Sequence, residues 1–154
     1  EHNEAVLSKL INKNDLNFEE LYIAKPHVFI SNNHPLADKE EITIQDLMLY
    51  PYLVFEQGKH NSFYFSEEFL SSLEFPKNIM VRDRATLFNL LIGLNGFTVC
   101  SGVIDTELNG ENIISKPLDS DCSMRIGILT RKNSVLSRYG VSYLNVLKNH
   151  LSID

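Results

Sequence analysis

The chain has 154 residues, of which 44% are hydrophobic and 22% charged, and its formal net charge is −6 at pH 7. This length suits one domain or two small lobes, and the composition is ordinary for a globular protein. The acidic balance argues against a nucleic-acid-binding domain, because such domains carry a basic face that attracts phosphates. No apolar run approaches the roughly 18 residues that a membrane-spanning helix needs.

The cysteines and the amino terminus give the next constraints. Cys100 and Cys122 are too few for a disulfide framework and fit no zinc spacing, and the five histidines are scattered. The first ten residues lack the basic start and apolar middle of a signal peptide, and there is no initiator Met. We therefore expect a cytoplasmic chain, or a fragment of one, with no structural metal and no cofactor motif.

Hydrophobic periodicity predicts alternating helices and strands in the first half of the chain. The predicted elements are a helix over residues 4–13, strands over 18–23 and 28–31, a helix from Thr43 to about Leu49, a strand over 52–55 and a helix over 63–73. Thr43 is the expected N-cap of its helix. A turn is expected over residues 32–35, because the residue before a proline is disfavoured in a helix.

The most informative stretch is residues 79–102, IMVRDRATLFNLLIGLNGFTVCSG, which predicts a strand, a helix and a second strand. Leucines at one-face helical spacing occupy Leu87, Leu90, Leu91 and Leu94. Asp83 is the expected N-cap, and Gly96 the expected left-handed residue after the last turn. The two strands of such a short βαβ unit should run parallel.

The remaining elements complete an α/β pattern. We predict a short helical segment over residues 104–108, extended segments over 113–118 and 124–130, and a final helix over 136–151. That helix should direct Tyr143, Leu144, Leu147 and Leu151 toward a core. Extended segments near both ends flank a middle block with its own strands, which predicts two lobes joined by crossings at residues 32–36 and 116–121. A cleft between lobes is a usual ligand site.

Four pieces of the sequence together resemble one family. HPLA at residues 34–37, a helix ending in DLMLYPYLVF, the stretch IGLNGFTVCSG and a final strand and helix are similar to the effector-binding domain of LysR-type transcriptional regulators. The resemblance covers nearly the whole chain and rests on the order and spacing of the pieces. One departure is the loss, near Gly102, of the proline that usually follows the glycine motif.

The resemblance implies a two-lobe, Rossmann-like α/β fold of the type II periplasmic-binding-protein kind. Lobe one would comprise residues 1–35 and 119–154, and lobe two residues 36–118, with hinge residues Asn32, Asn33, Pro117 and Leu118. The family's winged helix-turn-helix, its linker helix and the opening strand and helix of lobe one are not in this chain. The first lobe would then be incomplete, and DNA would be bound only through the missing domain.

The same resemblance implies the partners. A small effector, expected to be anionic, would bind between the lobes, and the domain would form an antiparallel homodimer, or a tetramer at full length. No membrane partner is expected. A solute-binding or transport-type module of the same architecture is the alternative function. A small enzyme is disfavoured, because the sequence shows no activated nucleophile, P-loop or GxGxxG motif.

Candidate effector-binding residues follow the predicted parallel strands, where ligands of such sheets bind. Arg82 and Arg84 flank a helix start and could hold a carboxylate; the alternative is two surface arginines paired with nearby acids. Gln57 and Gly58 follow the strand over residues 52–55, and the alternative is an ordinary surface loop.

Three further candidates lie on or after the second strand of the βαβ unit: Thr98, Cys100 and Ser101. Members of the resembled family commonly contact ligand with this stretch. Strand alternation places Thr98 and Cys100 on one face, so at least one of them should belong to the core. Cys100 could be a redox sensor if an arginine lowered its pKa, but we favour a buried, inert thiol.

Overall fold

The structure is a computed structural model and describes residues 8, 11–56 and 75–151. Its strands are β1 (Leu16–Ala24), β2 (His27–Ser31), β3 (Tyr52–Phe55), β4 (Asn78–Val81), β5 (Thr98–Cys100), β6 (Ile113–Pro117) and β7 (Met124–Arg131). Its helices are α1 (Ile44–Leu47), α2 (Arg84–Gly93), α3 (Thr106–Asn109) and α4 (Arg138–Leu151). The helix predicted over residues 63–73 and the candidates Gln57 and Gly58 lie outside the described residues.

The chain forms two compact units, one of Glu1–Ile23 with Arg125–Asp154 and the other of Ala24–Met124. The second unit contains β2 to β6 and the first three helices. The lobe bounds expected from the resemblance, residues 1–35 with 119–154 and residues 36–118, stay a prediction.

The second unit is built on a mixed β-arrangement in which four strands point the same way. β3 and β4 pair in parallel, and a parallel bridge joins Tyr52 to Phe97, the residue before β5. β2 lies between β5 and β6 and runs antiparallel to both. The strands β4 and β5 of the βαβ unit are therefore parallel, as expected, but β3 lies between them.

Strand alternation gives this arrangement two apolar faces. Val28 and Ile30 of β2 lie in one core cluster and Phe29 in the other, because successive side chains point to opposite faces. The first cluster contains Leu36, Ile42, Leu47, Tyr52, Phe75, Phe97, Val99 and Leu118, and the second contains Leu53, Val81, Leu87, Leu91 and Ile113. Helix α1 thus contributes to one face and α2 covers the other.

Both predicted N-caps of the second unit are confirmed. The Asp83 carboxylate accepts hydrogen bonds from the Thr86 backbone N–H and hydroxyl, each at 2.8 Å. At α1, the Thr43 hydroxyl and the Asp46 carboxylate form a reciprocal capping box. These local hydrogen bonds set where α2 leaves β4 and where α1 begins.

The predicted role of Gly96 is wrong. The left-handed residue after α2 is Asn95, with φ 48°, and asparagine is one of the few side chains that tolerates this region. Gly96 is instead required by a close approach to β3: an added Cβ would lie 2.9 Å from Leu53 Cδ1 and 3.2 Å from the Pro51 carbonyl oxygen. Of the four spaced leucines, Leu87 and Leu91 are buried, whereas Leu94 is exposed.

The first unit pairs β1 with β7. Lys132 donates its backbone N–H to Asp15 and Arg125 forms an ion pair with Glu20, so the two strands run antiparallel. In α4 the side chains of Leu144, Leu147 and Leu151 are half-buried. Tyr143, which we expected to face a core, is instead 66% exposed.

Candidate functional site

The carboxyl ends of four strands meet at one edge of the second unit, which we call the carboxyl edge. The first residues after β3, β4, β5 and β6 are Glu56, Arg82, Ser101 and Leu118, and His27 at the start of β2 lies among them. Parallel strands place ligand-binding groups beyond these ends, because the loops that follow them converge there. The carboxyl edge is therefore the candidate site.

Arg82 forms a two-point ion pair with Glu56. Its Nε donates to Glu56 Oε2, and its Nη2 donates to Oε1 at 3.3 Å. The Arg82 guanidinium lowers the pKa of Glu56, and the carboxylate in turn raises the pKa of Arg82. Arg82 is therefore paired with a neighbouring acid, as the alternative to a ligand-binding role expected.

Arg84 points toward α3 and the side of its own helix. Its Nη2 donates to the Asn109 side-chain oxygen at 3.1 Å, and its guanidinium carbon lies 5.0 Å from the centroid of the Phe88 ring. A cation over an aromatic face is attracted by the ring's negative π-cloud. Arg84 thus has neutral partners, whereas Arg82 has a charged one.

The three candidates around β5 differ in exposure. Thr98 is buried, while Cys100 and Ser101 are half-buried. Burial raises the pKa of the Cys100 thiol to about 11, and a hydrogen bond with the Gly102 backbone and the charge of Arg84 oppose this rise only in part. The Cys100 Sγ lies 3.8 Å from the His27 carbonyl oxygen. A thiol with so high a pKa is a poor nucleophile near neutral pH, which favours the inert interpretation.

The four candidate hinge residues lie at opposite ends of β2 and β6. Asn32 donates its backbone N–H to Asn112 and its side-chain amide to Glu111, at the end away from the carboxyl edge. Asn33 follows it and donates its N–H to the Ser31 hydroxyl. Pro117 and Leu118 lie at the carboxyl edge, where the Leu118 N–H bonds the Pro26 carbonyl. Their role as hinges stays a prediction.

Sequence reasoning missed two residues of the carboxyl edge. Glu56 directly follows β3 as Arg82 follows β4, and the parallel register Phe55 to Val81 places them side by side. Glu56 and Arg82 could both be read as charges that follow predicted strands, but the pairing of β3 with β4 was not predicted, because the parallel expectation concerned the two strands of the βαβ unit. His27 was missed because its position depends on the antiparallel pairing of β2 with β5, which local patterns do not specify.

Residues 8, 11–56 and 75–151 contain neither a metal site nor a membrane-spanning helix. No group of three His, Cys, Asp or Glu side chains in these ranges is arranged to hold a metal ion. No helix within them is long and apolar enough to cross a membrane. A pocket of about 380 Å³ lies in the first unit, lined in part by Phe18, Arg125 and Lys132, and contains none of the predicted site residues.

Comparison with known proteins identifies the domain type. Residues 5–152 match the family model of the LysR substrate binding domain. The search of curated protein sequences found no match. Solved structures give the fold: HinK, a LysR family transcriptional regulator from Pseudomonas aeruginosa, matches with a TM-score of 0.66 at 16% identity over 89% of this chain. This chain spans 48% of the HinK chain, about half its length.

Two further structures contain small molecules. The effector binding domain of QuiR in complex with shikimate matches with a TM-score of 0.63 at 20% identity, over 92% of this chain and 68% of that one. The BenM effector binding domain with its effector benzoate matches with a TM-score of 0.63 at 20% identity, over 90% and 64%. The predicted α/β fold of type II periplasmic-binding-protein-like architecture is confirmed.

Proposed function

This chain belongs to the LysR substrate binding domain family, and from that premise we propose that it is the ligand-sensing regulatory part of a DNA-binding transcriptional regulator. The observation that carries the proposal is the carboxyl edge of the second unit, where polar and charged side chains follow several parallel strands. The family and its solved relatives are transcriptional regulators rather than enzymes, which supports a binding role for these side chains.

The proposed effector is a small organic anion held by Arg82. A guanidinium can bind a carboxylate through two parallel hydrogen bonds, and Arg82 already binds the Glu56 carboxylate in this way. Shikimate and benzoate, present in the QuiR and BenM structures, are both carboxylates near neutral pH. Ser101, Gln57 and Gly58 are the proposed neutral contacts.

Regulation would follow from a shift in population. An effector that binds one arrangement of the lobes more tightly increases the fraction of molecules in that arrangement. We propose that this change passes to a winged helix-turn-helix elsewhere in the full-length, cytoplasmic protein, that Asn32, Asn33, Pro117 and Leu118 act as hinges, and that the domain works as a homodimer.

The test is a titration of the chain with sodium benzoate and with sodium shikimate, followed by thermal melting and by the NMR signal of the Arg82 side chain. A ligand at 100 times its dissociation constant should add about 2.7 kcal/mol to the free energy of unfolding. Arg82→Gln should lose this gain, whereas Arg138→Gln, an arginine of the first unit stacked on Tyr139, should keep it. Equal stabilisation of both variants would place the anion elsewhere and refute the role of Arg82.

A further inference from the structure

We propose that Glu56 is a specificity-determining residue that occupies the place of the ligand carboxylate on Arg82 and must be displaced when an effector binds. The inference rests on the proposed function, because it assumes that Arg82 binds a carboxylate. The class of ligand follows from this role of Glu56: the site accepts monocarboxylates and disfavours ligands with two carboxylates.

The backbone holds the two side chains next to one another. Phe55 and Val81 are register partners, and the Glu56 N–H donates to the Val81 carbonyl oxygen at 2.8 Å. The strand pairing thus continues one residue beyond β3 and fixes Glu56 beside Arg82. The sheet therefore fixes the Glu56 backbone and keeps its carboxylate within reach of Arg82.

Neighbouring charges at this edge are already engaged with other groups. Both oxygens of the Asp83 carboxylate accept hydrogen bonds from Thr86, and Arg84 binds Asn109 and lies over Phe88. Among the described residues, Glu56 is the acid that forms an ion pair with Arg82. A ligand carboxylate that seeks Arg82 therefore competes with Glu56.

The exposure of the pair permits exchange. The Arg82 side chain is 83% exposed and that of Glu56 39%, so water reaches both groups and no core contact has to break. Exposed ion pairs contribute little net stability, because water and salt screen them. A modest gain in contacts from a ligand is then enough to replace Glu56.

The displaced Glu56 keeps its negative charge close to the ligand. A monoanion leaves one carboxylate bound to Arg82 and adds one negative charge near the displaced Glu56. A dianion brings its second carboxylate near Glu56, and like charges at short range repel. Glu56 therefore lowers the affinity for all carboxylates and lowers it most for dianions.

The experiment uses benzoate and phthalate as a matched monoanion and dianion, titrated against the wild type, Glu56→Gln and Glu40→Gln. Glu40 is an exposed acid of the same unit, so its substitution removes the same charge without touching Arg82. Binding is read from the Arg82 Nε–H signal, and far-UV circular dichroism checks folding. Glu56→Gln should bind benzoate roughly two- to fivefold more tightly, the scale of one exposed ion pair, and should gain more for phthalate. Glu40→Gln should match the wild type.

The outcomes separate this inference from the proposed function. If wild type and Glu56→Gln bind both anions equally, and neither anion raises the melting temperature of Arg82→Gln, Glu56 does not compete, and the inference fails while the proposed function stands. If neither anion shifts the Arg82 signal in any variant, both fail. An equal gain for benzoate and phthalate refutes the selection against dianions.

Discussion

The sequence Gly93-Leu94-Asn95-Gly96 contains one glycine with room for a Cβ and one without, so alanine at the two positions should change the free energy of unfolding in opposite directions. Gly93 ends α2, and a Cβ there would have nothing within 4 Å. Gly96 lies against β3, where a Cβ would come 2.9 Å from Leu53 Cδ1 and 3.2 Å from the Pro51 carbonyl oxygen. Leu53 is fully buried, so its side chain has little space into which to move.

The expected magnitudes follow from these distances. Forcing an extra methyl into a packed core costs about 1–3 kcal/mol, and Gly96→Ala should lower the free energy of unfolding by that amount. Gly93→Ala should raise it by about 0.5 kcal/mol, because alanine restricts the unfolded chain and favours the helix. Asn95→Ala should cost about 1 kcal/mol, since its φ of 48° is unfavourable for alanine.

The assay is urea unfolding followed by far-UV circular dichroism, with amide hydrogen exchange at Leu53 as a local measurement. The Leu53 N–H donates to the Phe97 carbonyl at 2.8 Å, and this hydrogen bond joins β3 to the chain just after Gly96. Gly96→Ala should speed exchange at this amide, and Gly93→Ala should not. If both variants are equally stable and equally protected, the close approach of Gly96 to β3 does not constrain the fold.

Three further predictions concern a pH dependence, the first unit and the thiols. Burial lowers the pKa of His34 below 6.5, so the stabilisation linked to its neutral form should be fully present above about pH 6.5 and be lost as the pH falls through the lower pKa of the folded protein. Urea melts should therefore show a larger loss in the free energy of unfolding between about pH 7.5 and 5.5 for wild type than for His34→Gln. Gly127→Ala should destabilise the β1–β7 pair by at least about 1 kcal/mol, because its Cβ would lie 2.4 Å from a backbone oxygen. Gly140→Ala in α4 would make only ordinary contacts, so thermal melts should show it to be neutral or stabilising. Iodoacetamide at about pH 8 should modify exposed Cys122 and leave Cys100 unmodified by mass spectrometry, and rapid alkylation of Cys100 would revive a redox role.

Local chemistry explains which parts of the fold the sequence could predict. The N-caps at Thr43 and Asp83 were predictable, because a side chain bonds a backbone N–H three residues away and no distant contact is needed. The left-handed conformation of Asn95, rather than Gly96, was not predictable, since the packing of β3 decides which residue has to lack a Cβ. Tyr143 has the spacing of a buried residue, yet helical periodicity does not say how much of a helix face is covered.

The same distinction applies to the candidate site. Arg82 was predictable as a residue that follows a strand of a βαβ unit. Its partner Glu56 comes from a strand about 26 residues earlier, and only the register of β3 against β4 brings the two together. The exposure of the pair, which decides whether Arg82 can exchange partners, likewise depends on tertiary structure.

HPLA and the turn at Asn95 and Gly96 lie at one edge of the second unit, and the residues proposed to select the ligand lie at the opposite edge. His34 of HPLA accepts the Leu36 N–H at Nδ1, so its Nε2 carries the hydrogen and donates to the Asn95 carbonyl at 3.0 Å. HPLA and the glycine motif therefore bind one another, at the end where β2 finishes and β5 begins. Glu56 and Arg82 lie at the other end, the carboxyl edge. The hydrogen bond between HPLA and this turn involves no residue of the carboxyl edge, so substitutions of Glu56 or Arg82 should leave it in place. If the effector is held at the carboxyl edge as proposed, this separation explains why HPLA and the Asn95-Gly96 turn predict the family but do not identify the effector.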